Sequence, residues 1–486
     1  MAEDQGVLFP REDGGRRSTA STGRGVWADA VRDVDPQLAA RIEGAGDWRK
    51  AYVDAVVAHT AAATRTPAAA VGVARAGLAS LGRRMVFERG GTAVLADALR
   101  EGSPLTTRSS RGEGRPEKEL VVPYRGQQLR GDALRRQLDT WVSRGTIEPS
   151  CRTALSRVLD EPEMLQLSDR AFALLGAGAE LGPLDPLSRW GAHVVAVDVP
   201  SERVWERVHR TTAAGAGTLT VLEGEPGVAG VDLLTRAPEV AATLRTAAEG
   251  LALTVGSYAY ADGARHVQVV HASDAIAELL LRERPGTAYA ELATPTDAFA
   301  VPQDVVEEAR RRWRARGWRT LAQAPARAAS RGGLYAPAYA TVVERPDGTT
   351  VGIADVLVPQ QGPNYTLAKR IQRWRAVVAL ADGHPVSANV APATSTRSVT
   401  RNRLLAAAYA GARRFGVEVF DPTTSRVLMA ALLVHDLRVG APAPANPDDL
   451  FAQQAAHGGL WRTAYSPRSV LGLAAVTGLP GVLLRQ

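Results

Sequence analysis

A tyrosine and a lysine stand four residues apart at the start of a stretch with helical periodicity. Side chains at this spacing share one face of a helix, so Tyr365 and Lys369 should lie next to each other. The lysine is unusual in this chain, because Lys50 and Lys118 are the only other lysines among 58 basic residues. An ammonium is a compact charge that can lower the pKa of a phenol, and a planar guanidinium has a different reach. The pair therefore places a phenol beside a charge that can lower its pKa.

The residues after this pair predict a helix and then a strand. Apolar side chains recur at helical spacing and should face a core, which leaves Tyr365 and Lys369 to face a cleft. These apolar residues are Leu367, Ile371, Trp374 and Val378. Residues 384–393 then predict an apolar strand in which Pro392 is a breaker, and the hydroxyl-rich run 394–396 follows.

A glycine-rich loop lies further towards the N-terminus, between an apolar strand at residues 171–175 and a predicted helix. It contains Gly176, Gly178 and Gly182, and a second apolar strand ends at Asp198. Glycines allow a tight turn and let backbone N–H groups approach a pyrophosphate at a helix N-terminus, while the acid can accept from a ribose hydroxyl. The order of these elements, with about 20 residues between loop and acid, predicts a nucleotide-type cofactor.

The helix, strand, proline and hydroxyl loop together resemble the active-site half of a short-chain dehydrogenase/reductase. The resemblance implies that Tyr365 is the general acid/base and that Lys369 holds the nicotinamide ribose and lowers the tyrosine pKa. It also implies that Pro392 lies near the nicotinamide and that Thr394, or else Thr396, contacts its carboxamide. The expected reaction is hydride transfer between a nicotinamide cofactor and a carbonyl or alcohol.

The resemblance covers the chain from about Arg170 to the C-terminus. Residues 231–235 resemble the third strand of these reductases, with Asp232 on the adenine side of the cofactor. Asp198 would favour NAD, since a 2′-phosphate would meet a carboxylate, while the nearby Arg203 leaves NADP open.

Three features depart from the reductase pattern. Glu180 replaces the middle glycine of the loop and would repel a pyrophosphate, so either its side chain turns away or the cofactor lacks a diphosphate there. The family serine, normally about 13 residues before the tyrosine, would fall at Gly352, and the family's Asn-Asn-Ala-Gly turn is replaced by residues 257–263. Two alternatives therefore stay open: an S-adenosylmethionine-dependent methyltransferase, and a non-catalytic nucleotide-binding relative of the reductases.

The pattern along the chain predicts an α/β fold, with a doubly wound parallel sheet of Rossmann-like type preceded by a helical region. Residues 1–25 are expected to be a disordered tail and residues 26–165 a helical N-terminal region, with a linker at 102–118. Residues 166–486 are expected to form the reductase-like domain, with an insertion around 305–348 that forms a lid or partner surface.

Composition limits the remaining function classes. The net charge is +7 and the pI about 9.8, but the arginines are scattered among acids, so nucleic acid is not expected as a partner. A single cysteine excludes an internal disulfide and a cysteine-rich metal site, and His266 and His271 lack a metal-ligand spacing. With no predicted membrane span, we expect a cytoplasmic protein that acts on a small molecule. The apolar run 469–484 is expected in a core or an oligomer contact.

Overall fold

Strands and helices alternate along most of the chain, and the computed structural model describes residues 5–440 and 443–483. The strands are β1 (Gly6–Leu8), β2 (Val86–Glu88), β3 (Thr92–Ala93), β4 (Thr106–Arg111), β5 (Val122–Tyr124), β6 (Gln127–Leu129), β7 (Arg170–Leu175), β8 (His193–Val197), β9 (Thr218–Glu225), β10 (Val228–Ala229), β11 (Ala252–Ser257), β12 (Ala288–Ala293), β13 (Ala298–Pro302), β14 (Val342–Glu344), β15 (Thr350–Asp355) and β16 (Val386–Val390). The α-helices are α1 (Thr19–Val31), α2 (Pro36–Glu43), α3 (Trp48–Ala63), α4 (Pro67–Arg84), α5 (Leu95–Ala98), α6 (Gly131–Arg144), α7 (Pro149–Asp160), α8 (Leu184–Arg189), α9 (Glu202–Ala213), α10 (Leu233–Thr246), α11 (Ala264–Glu283), α12 (Gln303–Arg314), α13 (Trp318–Ala329), α14 (Gly362–Ala381), α15 (Arg397–Arg401), α16 (Arg403–Gly411), α17 (Pro422–Val439) and α18 (Pro467–Leu483).

A mixed, mostly parallel sheet of eight strands forms the centre of this α/β fold. Its order is β10-β9-β8-β7-β11-β12-β16, and β4 also pairs with β9. Strands β7, β8, β9, β11, β12 and β16 are parallel, whereas β4 and β10 run antiparallel on β9. Because parallel strands are buried on both faces, they are almost continuously apolar, as the sequence predicted for β7 and β8.

Helices cover both faces of this sheet. On β7, Ala171, Ala173 and Leu175 face a core shared with the buried sides of α1, α10, α11 and α14. The alternate residues Phe172 and Leu174 face a second core shared with α6, α7, α9 and α17. The side-chain alternation of a strand therefore divides the hydrophobic core into two layers.

The start of the chain is ordered, so the prediction of a disordered tail over residues 1–25 is wrong for the part that the structure describes. Residues 1–4 lie outside that part. Val7 is fully buried in β1, pairs with Phe87 of β2, and its carbonyl accepts a 2.7 Å hydrogen bond from Gln268. Helix α1 then begins at Thr19, after Ser18 caps it. Three apolar residues are enough to anchor a strand but too few to show a periodicity.

Residues 26–165 are helical in large part, but they do not form a separate helical region. Strand β4, within the segment expected to be a linker, pairs with β9 and extends the central sheet. Helices α1 and α4 pack on α14, where the rings of Trp27 and Trp374 lie 5.6 Å apart. The N-terminal helices therefore share a core with the segment that carries Tyr365 and Lys369.

The insertion between β12 and α14 is wider than the predicted 305–348. Residues 294–361 contain α12, α13 and a three-stranded antiparallel sheet in the order β13-β15-β14. The stretch expected to be the sheet strand before α14, residues 350–358, contributes β15 to this smaller sheet instead. The third parallel strand of the central sheet is β9, and residues 233–235 begin α10 rather than forming the predicted strand. We call residues 294–361 the extension.

Two clusters of buried charges link the extension and the C-terminal segment to the rest of the chain. The carboxylate of Asp297 accepts hydrogen bonds from Arg370 at 2.8 Å and from Arg373 at 2.9 Å, and all three side chains are almost fully buried. Glu148 accepts from His457 at 2.9 Å and from Arg462 at 2.6 Å. Burial acts to raise the pKa of Glu148, but these two partners outweigh it and bring the pKa to about 2.

The C-terminal helix α18 packs against α16 at very short range. A Cβ at Gly411 would collide with the carbonyl of Ala474, and one at Gly478 would collide with the carbonyl of Ala407. Glycine lets the two backbones touch at these points. The described part of the apolar run 469–484 thus contributes to a helix pair. None of the described helices is both long and apolar enough to cross a membrane.

Candidate active site

A cleft of about 910 Å³ opens where the parallel strands end. Its size is within the range of pockets that bind cofactors and small molecules. The residues that line it include the predicted catalytic and cofactor-binding residues but not Arg203: Gly176, Gly178, Gly182, Asp198, Asp232, Tyr365, Lys369, Pro392, Thr394 and Thr396. Most of them directly follow the carboxyl end of a parallel strand, and these ends meet at one edge of the sheet. The structure therefore brings the glycine loop and the tyrosine–lysine pair into one cavity.

The glycine loop is built around Gly176 and Gly178. Gly176 has φ +93° and lies against the backbone of Ala259, so any Cβ there would be strained and would collide. The N–H of Gly178 donates to the Asp198 carboxylate at 2.7 Å, and its carbonyl accepts from Arg207 at 2.6 Å. Burial raises the pKa of Asp198, while hydrogen bonds from the backbone N–H groups of Gly178 and Val199 oppose the rise. Asp198 thus holds the loop in shape in addition to lining the cleft.

The helix after the loop is short. Residues 176–183 form successive turns, and α8 begins only at Leu184 and has six residues. A phosphate at the loop would therefore meet turn N–H groups and arginines rather than the first turn of a long helix. Arg207, Arg397 and Arg401 line this part of the cleft.

Glu180, the residue that departs from the glycine pattern, is held by the segment opposite the loop. Its carboxylate accepts a 2.9 Å hydrogen bond from the backbone N–H of Arg397, the first residue of α15. Its carbonyl accepts from Arg426 at 2.8 Å. The negative charge that would repel a pyrophosphate is therefore engaged by α15.

Tyr365 has its hydroxyl next to two threonines at the carboxyl end of β12. It donates to Thr294 Oγ1 at 3.0 Å, and Thr294 Oγ1 lies 2.9 Å from Thr296 Oγ1. Burial raises the pKa of Tyr365, and the two threonine hydroxyls act in the opposite direction. The expected lowering of this pKa is therefore wrong in the structure as it stands, because burial disfavours the phenolate more strongly than its neighbours stabilise it.

Lys369 lies one helical turn from Tyr365, with its ammonium in a buried polar network. Its Nζ donates to Gln372 Oε1 at 2.8 Å and to the carbonyl of Leu292 at 3.4 Å. The amide of Gln372 in turn donates to the carbonyl of Ser257 at 2.9 Å. Burial lowers the pKa of Lys369, and nearby carboxylates, Glu291 foremost, oppose the change. Since an ammonium has three donors, one stays available to a ligand in the cleft.

Glu291 is a buried carboxyl in the middle of β12, close to Lys369. Burial raises its pKa to about 7, and the charges of Lys369 and Arg373 oppose this rise. Neither of its carboxylate oxygens has a hydrogen-bond partner among the described residues. The protonation state of Glu291 is therefore coupled to that of the lysine.

The other predicted contacts lie at the cleft wall with their side chains already bonded. Thr394 donates to the carbonyl of Pro392 at 2.8 Å and shares a 2.7 Å hydrogen bond with Ser425. Asp232 caps α10 by accepting from the N–H of Leu234 at 2.9 Å. These residues shape the cleft, and Asp232 still has acceptor capacity for a ligand.

Gly352, which stands where the family serine would fall, does not line the cleft. Gly352 lies in β15, where a Cβ would collide with Val306 and Tyr339. Thr294 instead presents the hydroxyl nearest to Tyr365 that the structure records. Counting back from the tyrosine could not find Thr294 because the extension intervenes. The available signal was the Thr-Pro-Thr run directly after the apolar residues of β12.

His266 is another cleft residue that was not assigned a role. Its ring lies 4.9 Å from that of Tyr260 and 5.6 Å from that of Tyr365. Burial, assisted by the charge of Lys369, lowers its pKa to about 3, so it is neutral at physiological pH. Its Nε2 has no hydrogen-bond partner among the described residues.

Comparison with known proteins yields no match, either to a protein-family model or to a curated protein. Within residues 5–440 and 443–483, no cluster of three His, Cys, Asp or Glu side chains is arranged to hold a metal ion.

Proposed function

We propose that this protein is an oxidoreductase that transfers a hydride between a nicotinamide dinucleotide and a carbonyl or alcohol. The observation that carries the proposal is the single cleft in which the glycine loop with Asp198 and the Tyr365–Thr294–Lys369 group lie at the ends of neighbouring parallel strands. On this proposal the chain is a divergent relative of the short-chain dehydrogenases/reductases.

The strand order supports a dinucleotide-binding, Rossmann-like fold. Numbered along the chain, the six parallel strands lie in the order 3-2-1-4-5-6. This is the order of dinucleotide-binding folds, in which the ligand lies at the point where the order reverses. That point is between β7 and β11, and Gly176 at the end of β7 packs against Ala259 just after β11.

Tyr365 and Thr294 would act on the oxygen of the substrate. A bound nicotinamide supplies the hydride for reduction or accepts it for oxidation. In reduction, the Tyr365 hydroxyl donates its proton to the developing alkoxide, and the Thr294 hydroxyl donates a hydrogen bond to the same oxygen. Because burial keeps Tyr365 protonated at neutral pH, the resting site is prepared for reduction. For oxidation the tyrosine must first lose its proton.

Lys369 and the carboxylates would hold the cofactor. The remaining N–H donor of Lys369 faces the cleft and would bind a ribose hydroxyl of the nicotinamide half. Asp198 and Asp232 would lie on the adenine half, which favours NAD over NADP because a 2′-phosphate would meet carboxylates. Arg207 and Arg397 would face the pyrophosphate.

Methyl transfer from S-adenosylmethionine is the second candidate. Helix α8 has only six residues, and the Gly178 N–H already donates to Asp198. Both features favour a cofactor without a diphosphate. A methyltransferase needs no tyrosine–lysine pair. A non-catalytic nucleotide-binding relative needs neither that pair nor a methyl donor.

Calorimetry with NADH, NADPH and S-adenosylmethionine separates these functions. The variant is Lys369→Ala, and the matched control is Lys118→Ala, since Lys118 is an exposed lysine outside the cleft. We expect NADH to bind the wild type and the control equally, and the variant at least tenfold more weakly. Absence of nicotinamide binding would refute the oxidoreductase. Binding of S-adenosylmethionine unaffected by Lys369→Ala would favour methyl transfer.

A further inference from the structure

We infer that an apolar slot beside the cleft receives an unbranched aliphatic arm of the substrate, so that the substrates are aliphatic carbonyl compounds or the matching alcohols. This inference rests on the proposed function and narrows its substrate class. The slot is a second cavity of about 70 Å³, enclosed by the extension, α16 and α18. Thr296 and Tyr409 line both cavities, so the slot lies next to the cleft, beside the proposed reaction centre.

The lining of the slot is almost entirely apolar. Characteristic members are Val358, Ala412, Val419 and Leu471. Apart from Tyr409, at the boundary with the cleft, its polar side chains are engaged elsewhere. Thr463 donates to the carbonyl of Phe415 at 2.9 Å, Thr296 bonds with Thr294, and Arg468 forms ion pairs with Asp355 at 2.8 Å and Asp54 at 3.0 Å. The slot therefore has little to offer a polar group, and a cavity with such a lining stays dry and takes apolar ligands.

The position of the slot matches the direction in which a substrate would extend. The hydroxyls of Tyr365, Thr294 and Thr296 follow one another at 3.0 and 2.9 Å, and Thr296 lies on the rim of the slot. Tyr409 forms the opposite side of the opening, close to Tyr365: burial and the neighbouring phenol both raise the Tyr409 pKa. A carbonyl held by Tyr365 and Thr294 would thus direct one substituent between Thr296 and Tyr409 into the slot.

Binding of straight-chain primary alcohols from ethanol to octanol tests this inference. Dissociation constants are measured by saturation-transfer NMR, with and without NAD⁺. Each methylene buried in an apolar site should strengthen binding about fourfold. We expect this gain for the first methylenes and a plateau once the slot is filled.

Two variants link the length dependence to the slot. Ala412→Phe fills it and should remove the gain with chain length, whereas Ala410→Phe is the matched control because Ala410 is exposed and does not line the slot. Val358→Thr keeps the side-chain volume but places a hydroxyl in the slot. It should weaken hexanol binding at least fivefold and leave ethanol binding unchanged. This variant also serves as the test if Ala412→Phe does not fold.

The outcomes separate the slot from the proposed function. If the gain with chain length is the same in the wild type, Ala412→Phe and Val358→Thr, or is absent from the wild type while NAD⁺ binds, the slot inference is overturned and the oxidoreductase stands. If NAD⁺ does not bind but the gain is present and is lost only in the slot variants, the slot is supported as an aliphatic site and the oxidoreductase fails.

Discussion

Replacing Thr294 with valine tests the proposed reaction centre most directly. The substitution keeps the shape of the side chain and removes Oγ1, which accepts the hydroxyl of Tyr365 at 3.0 Å. The half-buried phenol then loses this hydrogen bond, and a hydrogen bond typically contributes about 0.5–1.5 kcal/mol to stability. We therefore expect the free energy of unfolding to fall by that amount, measured by urea denaturation.

The effect of Thr294→Val on catalysis should be larger than its effect on stability. Removing one donor to a developing oxyanion typically lowers kcat by about 10²–10³-fold. The substitution also removes a hydrogen bond that lowers the pKa of Tyr365, so this pKa should rise further. Oxidation, which needs the phenolate, should then start at a higher pH than in the wild type, while the loss in reduction should not depend on pH below the tyrosine pKa.

The control for this experiment is Thr294→Ser, which keeps the hydroxyl. Reduction of a short aliphatic aldehyde is followed by the absorbance of NADH, and nucleotide binding is measured in parallel. The expected order of rates is wild type, then serine, then valine, with unchanged NADH affinity. A valine variant within twofold of the wild type, or a serine variant as slow as valine, would refute the role of Thr294.

Further predictions concern the loop and the buried charges. Gly176→Ala should cost more stability than Gly191→Ala in urea denaturation and should weaken nucleotide binding, because both glycines have positive φ but only the first lies against another backbone segment. Equal losses would contradict this. The interactions that lower the pKa of Glu148 to about 2 stabilise the fold fully above pH 4.5, which is the pKa of this group in the unfolded chain. Their contribution is lost as the pH falls towards 2. Between pH 6 and pH 2 the free energy of unfolding should therefore fall by about 3 kcal/mol more in the wild type than in Glu148→Gln. Equal pH dependence of the two unfolding free energies would refute the role of this carboxyl. Asp297→Asn removes the carboxylate that two buried arginines share and leaves Arg373 with the Asp448 carboxylate at 3.4 Å. It should lower the unfolding free energy by about 3–5 kcal/mol, whereas a loss below about 1 kcal/mol would contradict the importance of this cluster.

Local patterns in the sequence were enough to find α14 and most of the parallel strands. Leu367, Ile371, Trp374 and Val378 are all buried, as their spacing predicted. Most of the cleft residues could be found because they follow a parallel strand or lie at the start of α14, whereas Asp232 caps α10. In a sheet of this kind such positions converge at one edge, whatever the order of the strands.

Pairing between distant segments left no such signal. All six residues of β4 are exposed and four are Thr or Ser, so the strand resembles a linker until β9 is placed beside it. Thr294 was not found for a related reason, because spacing along the chain stops being a guide where the extension separates it from Tyr365. The raised tyrosine pKa follows from burial, which no local pattern near Tyr365 records.

The contact between Trp27 and Trp374 has a consequence for the order of events during synthesis. The first tryptophan leaves the ribosome more than 300 residues before its partner, which corresponds to roughly 20 to 70 s at ordinary elongation rates. For that time the apolar sides of the N-terminal helices have no α14 to cover them. A nascent chain stopped before residue 362 should therefore expose an apolar surface that chaperones bind, and a chain extended past residue 390 should bury this surface.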